Sequence, residues 1–240
     1  MAKQVGWIRA GFVLLAAAIG ACYTVPAPQP TQPTVTTPVT EPTRVVHMNG
    51  QNEGPTEPVP PPEPARNPEL DSAAYRARAL EAQQVLNFNE DANFGGGELV
   101  SGFEPDPWAF PLTAGGGRDF IDIKTLGLID EESGEPCGQA YVTRKPDFHF
   151  TLTDAGQYPL VRFWVVTDNE ADATLLINDP SGRWRCNDDH GHADWGVERA
   201  PAVDFYAPES GRYDIWVGTY EQSAHNPANL YVTELESNHP

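Results

Sequence analysis

Residues 173–189 read ATLLINDPSGRWRCNDD, and the way this stretch divides decides the fold. An apolar, β-favouring run occupies 173–179. Asp179-Pro180-Ser181-Gly182 then turns the chain: proline presets the second turn position and glycine suits the fourth. Residues 183–188 lead back, so the stretch is a β-hairpin that ends in an acidic loop. Working outward, the same pattern of short β-rich runs between Gly, Pro, Asn and Asp clusters recurs at 119–123, 148–153, 160–167, 202–208, 213–220 and 230–235. In 160–167, Phe163, Val165 and Thr167 alternate with Arg162, Trp164 and Val166, which places this strand inside a sheet. A second turn, with Pro208 and Gly211, repeats the device of the first and is expected to close another hairpin. Many short strands with no helix between them predict an all-β domain at 95–238, a β-sandwich or jelly roll. Its length allows a two-layer core.

Upstream, the composition is different. Of the 24 prolines in this 240-residue chain, most lie between Pro26 and Pro68. Residues 22–66 are Pro/Thr/Glu-rich with few large apolar side chains, and cannot bury enough surface to offset the entropy of ordering. They are expected to form a disordered tether that spans roughly 40 Å as a flexible coil and about 140 Å as extended polyproline. Residues 67–87 are rich in helix formers, with Asn67 as a cap and Pro68 in the first turn. One short helix is expected at about 68–86, with Leu70, Ala74, Ala77 and Leu80 or Glu81 as its apolar stripe. It packs on the domain or projects as a stalk.

The first 21 residues are an address. Lys3 and Arg9 precede an apolar run too short to be a permanent membrane helix but suited to a signal-peptide core. The run ends in Ile19-Gly20-Ala21-Cys22, which resembles the lipobox of bacterial lipoproteins. The resemblance implies cleavage after residue 21 and acylation of Cys22 with palmitate-class chains, two or more of which hold a protein stably on a membrane. In a Gram-negative cell it further implies the outer membrane, because Tyr23 is not the aspartate that favours inner-membrane retention. An ordinary secretory signal with a cysteine at this position would export the chain equally.

The hairpin PDFHFTL…ATLLINDPSGRWRCNDDHG and the later AVDFYAPESGRYDIWVGTY together resemble the bacterial pre-peptidase C-terminal domain family, over residues 118–236. That resemblance implies a small β-sandwich in a secreted or cell-surface setting, with an accessory role beside a catalytic domain. Some relatives bind calcium or extracellular polymers. This sequence departs from the family's context in that no peptidase domain precedes the module, so an accessory role to an attached enzyme is not expected.

With Cys22 committed to lipid, Cys137 and Cys186 remain, and an even remainder in an exported domain predicts one disulfide. Cys186 would then fix the hairpin end from which Asn187, Asp188 and Asp189 project. Three readings of this loop stay open. The Asn and Asp side chains set the turn by bonding its backbone amides. Alternatively Asp179, Asn187, Asp188 and Asp189 supply hard oxygens to a calcium ion, although no EF-hand spacing is present. Or His190 and His192 join Asp188 or Asp189 on a transition metal. Trp184 and Trp195 flank the loop and are expected to be exposed contact residues for a protein or glycan, whereas Trp164 and Trp216 are expected in the core.

No nucleophile elbow or H-E-x-x-H motif occurs. The His149–Asp147 pair is a period-2 neighbour on a strand, which shares a face whatever the function. The reading is therefore a non-catalytic binding or accessory domain without a required cofactor, calcium being the candidate ion. The competing reading is a metal-dependent or other hydrolase working through Asp188, Asp189, His190 and His192. The formal net charge is −19, and loss of Lys3 and Arg9 with the leader takes it to −21. Such a surface repels nucleic acid and anionic headgroups, leaving neutral polymers, cations and proteins as partners.

Overall fold

A computed structural model of the chain describes residues 67–115, 119–168, 170–192 and 194–240. The leader, the acylation site and the proline-rich tether lie outside the described residues. Among the described residues the fold is two β-sheets and one α-helix. Strands β1 (Gly96–Val100), β2 (Trp108–Ala114), β3 (Phe120–Asp122), β4 (Tyr141–Thr143), β5 (Phe148–Thr153), β6 (Leu160–Thr167), β7 (Ala173–Asn178), β8 (Trp184–Asn187), β9 (Ala202–Tyr206), β10 (Gly211–Thr219) and β11 (Asn226–Thr233) follow helix α1 (Ala73–Val85). All of the strand runs read from sequence are strands; β1, β2 and β4 are additions.

The four-stranded sheet runs β2-β11-β6-β9, which makes β6 an interior strand as expected. The seven-stranded sheet is organised by β10. One edge of β10 pairs with β7, which continues to β8, and its other edge is shared end to end by β5 and β4. β1 adds to β5 in parallel and β3 to β4. Phe150, Leu175, Ile177, Tyr213, Ile215 and Val217 from this sheet face Phe163, Val165, Phe205, Leu230 and Val232 from the other. Period-2 alternation supplies these inward sets.

The hairpin 173–187 forms with the expected register, Asn178 opposite Trp184. The second turn does something else. β9 pairs with β6 in the small sheet, and β10 belongs to the large one, so residues 207–210 carry the chain between sheets and close no hairpin. Tyr213 Oη donates to the Glu209 carbonyl (2.8 Å) and the Ala155 amide donates to Ser210 Oγ (3.1 Å), which fixes this crossing. Gly211 is required there: it has φ +143°, and a Cβ would lie 2.6 Å from Pro180 Cβ.

The outer face of the large sheet is also buried. β7 is buried on both faces, every residue in it included. α1 covers this face. Ser72 Oγ caps the helix by accepting the Tyr75 amide (3.0 Å). Ala82 and Leu86 pack with Leu176, Trp184 and Trp216 in a second core that also takes in Ile123, Leu128 and Val142. The helix therefore packs on the domain. Its inward stripe is Tyr75, partly buried Ala79, Ala82 and Leu86, at 4-3-4 spacing; of the expected stripe Leu70 is buried beside Tyr75, whereas Ala74, Ala77 and Glu81 are exposed and Leu80 is 61% exposed.

Candidate functional site

The acidic loop follows β8 and is held from below by the disulfide. Cys137 and Cys186 are bonded, with Cα atoms 5.8 Å apart. Asp130 completes the fixture. Its Oδ1 accepts the Glu132 and Ser133 amides (3.1 and 2.7 Å), closing the turn before Cys137. Its Oδ2 accepts the Cys186 amide and Arg185 Nε, both at 2.9 Å. One buried carboxylate thus ties the 130–137 turn to the hairpin, and charge-assisted bonds of this kind are the stronger class.

A groove of about 480 Å³ opens beside this fixture, lined by Asp130, Glu135, Thr174, Asn187, Asp188 and Asp189 among others. Asp188 is half-buried; burial pushes its carboxyl above the ordinary carboxylate range, Asp189 adds to the shift, and the hydrogen bond from Thr174 Oγ1 (2.6 Å) opposes it. Asp172 is raised by burial first, then by Asp188 and Asp189, with Arg199 opposing. Its Oδ1 is buried with no hydrogen-bond partner. Asn187 Oδ1 accepts the Ala202 amide (2.9 Å) and so positions the start of β9.

Asp179 does not join this group. It sits at the far end of the hairpin, where its Oδ1 accepts the amides of Ser181 (3.0 Å) and Arg183 (2.9 Å) and its Oδ2 accepts Arg183 Nε (2.9 Å). It is a turn residue, and the four-residue calcium set does not assemble. Among the described residues, no three His, Cys, Asp or Glu side chains converge to hold a metal ion.

The histidines are engaged as well. His190 Nδ1 accepts the His192 amide (2.9 Å), which leaves the Nε2 proton for the Val197 carbonyl (2.6 Å); both nitrogens of a neutral ring are then used. His192 stacks on Trp195 at 4.0 Å between centroids and 24° between planes. Asp188 on Thr174, His190 on Val197 and His192 on Trp195 have separate tasks, so the hydrolase constellation does not form.

The two tryptophans differ from expectation. Trp184 is fully buried: its ring lies 5.7 Å from Trp216, and its indole N–H points to the Ala79 carbonyl (3.4 Å). Its side chain is on the face of the large sheet that α1 covers, and a strand pattern cannot show a covering helix. Trp195 is half-buried. His239 is parallel to it at 5.1 Å, and the Arg162 guanidinium lies 4.5 Å above the ring. Arg162 also forms a two-pronged ion pair with Asp204 (2.6 and 2.7 Å) and donates to the carbonyls of Glu236 (3.2 Å) and Asn238 (2.8 Å). Trp164 and Trp216 are buried, as expected.

Sequence reasoning missed Asp130, Arg162 and Asp214. A lone arginine inside LVRFWVVT is a usable signal, since a buried cation needs fixed partners. Asp130, three residues before Ser133-Gly134, fits an Asx-turn pattern. Asp214 carries no local signal. It pairs with His149 across strands (2.5 Å), whereas Asp147 points elsewhere.

No protein-family model matches the chain, and no curated protein matches it. Among solved structures, the chain is similar to the pre-peptidase C-terminal domain of a collagenase from Bacillus anthracis. Identity is 9%, the match covers 60% of this chain and 100% of that one, and the TM-score is 0.34.

Proposed function

We propose that this chain is an exported, lipid-anchored β-sandwich module of the cell envelope with a binding or accessory role and no catalytic one. One observation carries the reading. The Cys137–Cys186 bond at 5.8 Å between Cα atoms belongs to an oxidising compartment, and it leaves Cys22, in Ile19-Gly20-Ala21-Cys22, as the remaining cysteine. The partner class is a neutral glycan or a protein, because a chain of net charge −19 repels polyanions. Calcium is the ion class to test, through Asn187, Asp188, Asp189 and the unpartnered Asp172 oxygen, with Asp179 excluded.

Replacing Cys22 by serine should move the protein from the membrane to the soluble fraction, and mass spectrometry of the native protein should find an acylated Cys22 as its first residue. An intact leader on the native protein defeats the anchoring. Absence of both co-sedimentation with purified cell-wall glycan and cross-linking to any envelope protein in intact cells defeats the binding role. A melting temperature unmoved by millimolar calcium removes the ion.

A further inference from the structure

Between α1 and β1 the chain runs as a strap, residues 87–95, over the outer face of the large sheet. Arg212 of β10 donates to the Phe88 carbonyl (2.8 Å) and lies over the Phe88 ring. The Asn93 and Phe94 amides donate to the carbonyls of Pro146 (2.8 Å) and Asp147 (2.9 Å). At the centre is His149 of β5. Its Nδ1 is 2.5 Å from Asp214 Oδ1 and its Nε2 is 2.9 Å from the Glu90 carbonyl oxygen.

We propose that the strap is a pH-operated clasp whose catch is the doubly protonated imidazole of His149, bridging Asp214 of β10 to the backbone of Glu90. Both facing atoms are acceptors. A carbonyl oxygen never donates. Burial pushes the Asp214 carboxyl above the ordinary carboxylate range, while Arg212, through Nε (2.8 Å) and Nη2 (3.1 Å), and then His149 oppose that shift and favour the ionised acceptor. Only an imidazolium has two protons to give. When one proton leaves, the ring keeps the charge-assisted bond to Asp214, and its Nε2 lone pair then opposes the Glu90 oxygen. The strap loses its central bond.

The surrounding charges fit this design. Just before β5, Asp147 is fully buried beneath the strap, with Asn93 Nδ2 (3.0 Å) and the Val217 amide (2.8 Å) donating to it. Burial pushes its carboxyl up to about 7, so it gains negative charge as pH rises through that value. From β10 the facing groups are Asp214 and Arg212. From β1, Glu98 is on the same face and accepts from Thr153 Oγ1 (3.3 Å). Arg144 and Lys145 line the neighbouring groove with Glu90 and Asn93. The His149 side chain is 21% exposed, so solvent protons reach it. The strap is the chain's passage from α1 into β1, and the clasp therefore sets how firmly the helical cover is joined to the sandwich.

Hydrogen exchange of the full chain, corrected for the pH dependence of the chemical step, tests this. Between about pH 5.5 and about pH 8.5, protection of the Asn93 and Phe94 amides should fall about tenfold or more, beyond any change at the β10 amides. His149→Gln should abolish that local response, and Asp147→Asn should retain it. Ring-nitrogen NMR of the unmodified protein is the independent readout: both nitrogens protonated at about pH 5.5, with Nε2 losing its proton first. A pH-independent strap, a response that survives in His149→Gln, or a singly protonated ring in acid overturns the proposal.

Discussion

Removing the Cys137–Cys186 bond should destabilise the domain mainly through the unfolded chain. The two residues are 49 apart in sequence, and closing a loop of that length removes unfolded-state entropy equivalent to about 4 kcal/mol at 25 °C. The folded state should change little in the Cys137→Ala/Cys186→Ala variant. Asp130 still accepts the Cys186 amide and Arg185 Nε, Leu176 still opposes residue 186, and the amide at 137 still donates to the Leu128 carbonyl. The assay is urea unfolding followed by tryptophan fluorescence. With a slope of about 2 kcal/mol per molar urea, the midpoint should fall by about 2 M. Wild-type protein in excess reductant should show the same midpoint as the double variant, which separates loss of the cross-link from loss of two sulfur atoms in the second core. A fall of less than about 1 kcal/mol, well below the entropic figure, or a reduced wild type that stays as stable as the oxidised one, would refute the reasoning.

Further outcomes follow from buried groups. Burial raises the Asp147 carboxyl from 3.8 to about 7, so the fold holds that proton more tightly than the unfolded chain does. Stability from this group is full below the ordinary carboxylate value and is lost as pH rises through about 7, by an amount on the order of a few kcal/mol; urea midpoints at stepped pH should show the slope, and Asp147→Asn should flatten it. Trp184→Ala should cost about 3–5 kcal/mol in thermal unfolding, whereas half-buried Trp195 should cost about 1 kcal/mol; two exposed contact residues would both give small costs. Gly96→Ala should strip exchange protection from β1, because at φ +152° its Cβ would sit 1.8 Å from the His149 carbonyl oxygen; an unchanged β1 would contradict the parallel pairing with β5.

Local chemistry in the sequence carried the sandwich and failed where tertiary packing took over. The turn at 179–182 was readable because proline, glycine and an Asx side chain each impose a local geometry. The turn at 207–211 has the same residue types and a different outcome, since turn chemistry specifies reversal but not which sheet receives the next strand. β1, with GGELV, and β4, three residues long, lack the apolar run that marks a strand; β1 exists because β5 offers it an edge and β4 because β10 does. The helix was legible, but its buried face was not. Tyr75, Ala79, Ala82 and Leu86 were a helical stripe in the sequence, competing with another of nearly equal apolarity, and only the Trp184–Trp216 face decides between them.

The same division explains the acidic residues. Their number suggests a ligand site, yet buried Asp130 and Asp147 serve the backbone. Asp130 accepts from two turn amides and from Cys186 across a gap in sequence. Asp147 fills the break where β5 ends and β4 has not begun along β10: its amide bonds the Ile215 carbonyl (2.7 Å) and its carboxyl takes the Val217 amide (2.8 Å). Both replace strand partners that the sheet lacks, and buried amides must be satisfied by something. A carboxylate spent in this way is indistinguishable in sequence from one that binds a cation, because the deciding amides lie more than fifty residues away in each case. What remains free for a ligand is the exposed remainder, Asp189 with its raised neighbours Asp172 and Asp188. At that cluster mutual repulsion favours whatever neutralises it: replacing Asp172 with asparagine should raise stability at neutral pH and reduce its gain on acidification. A variant less stable than wild type at neutral pH would mean that the Asp172 charge is already compensated in the native protein.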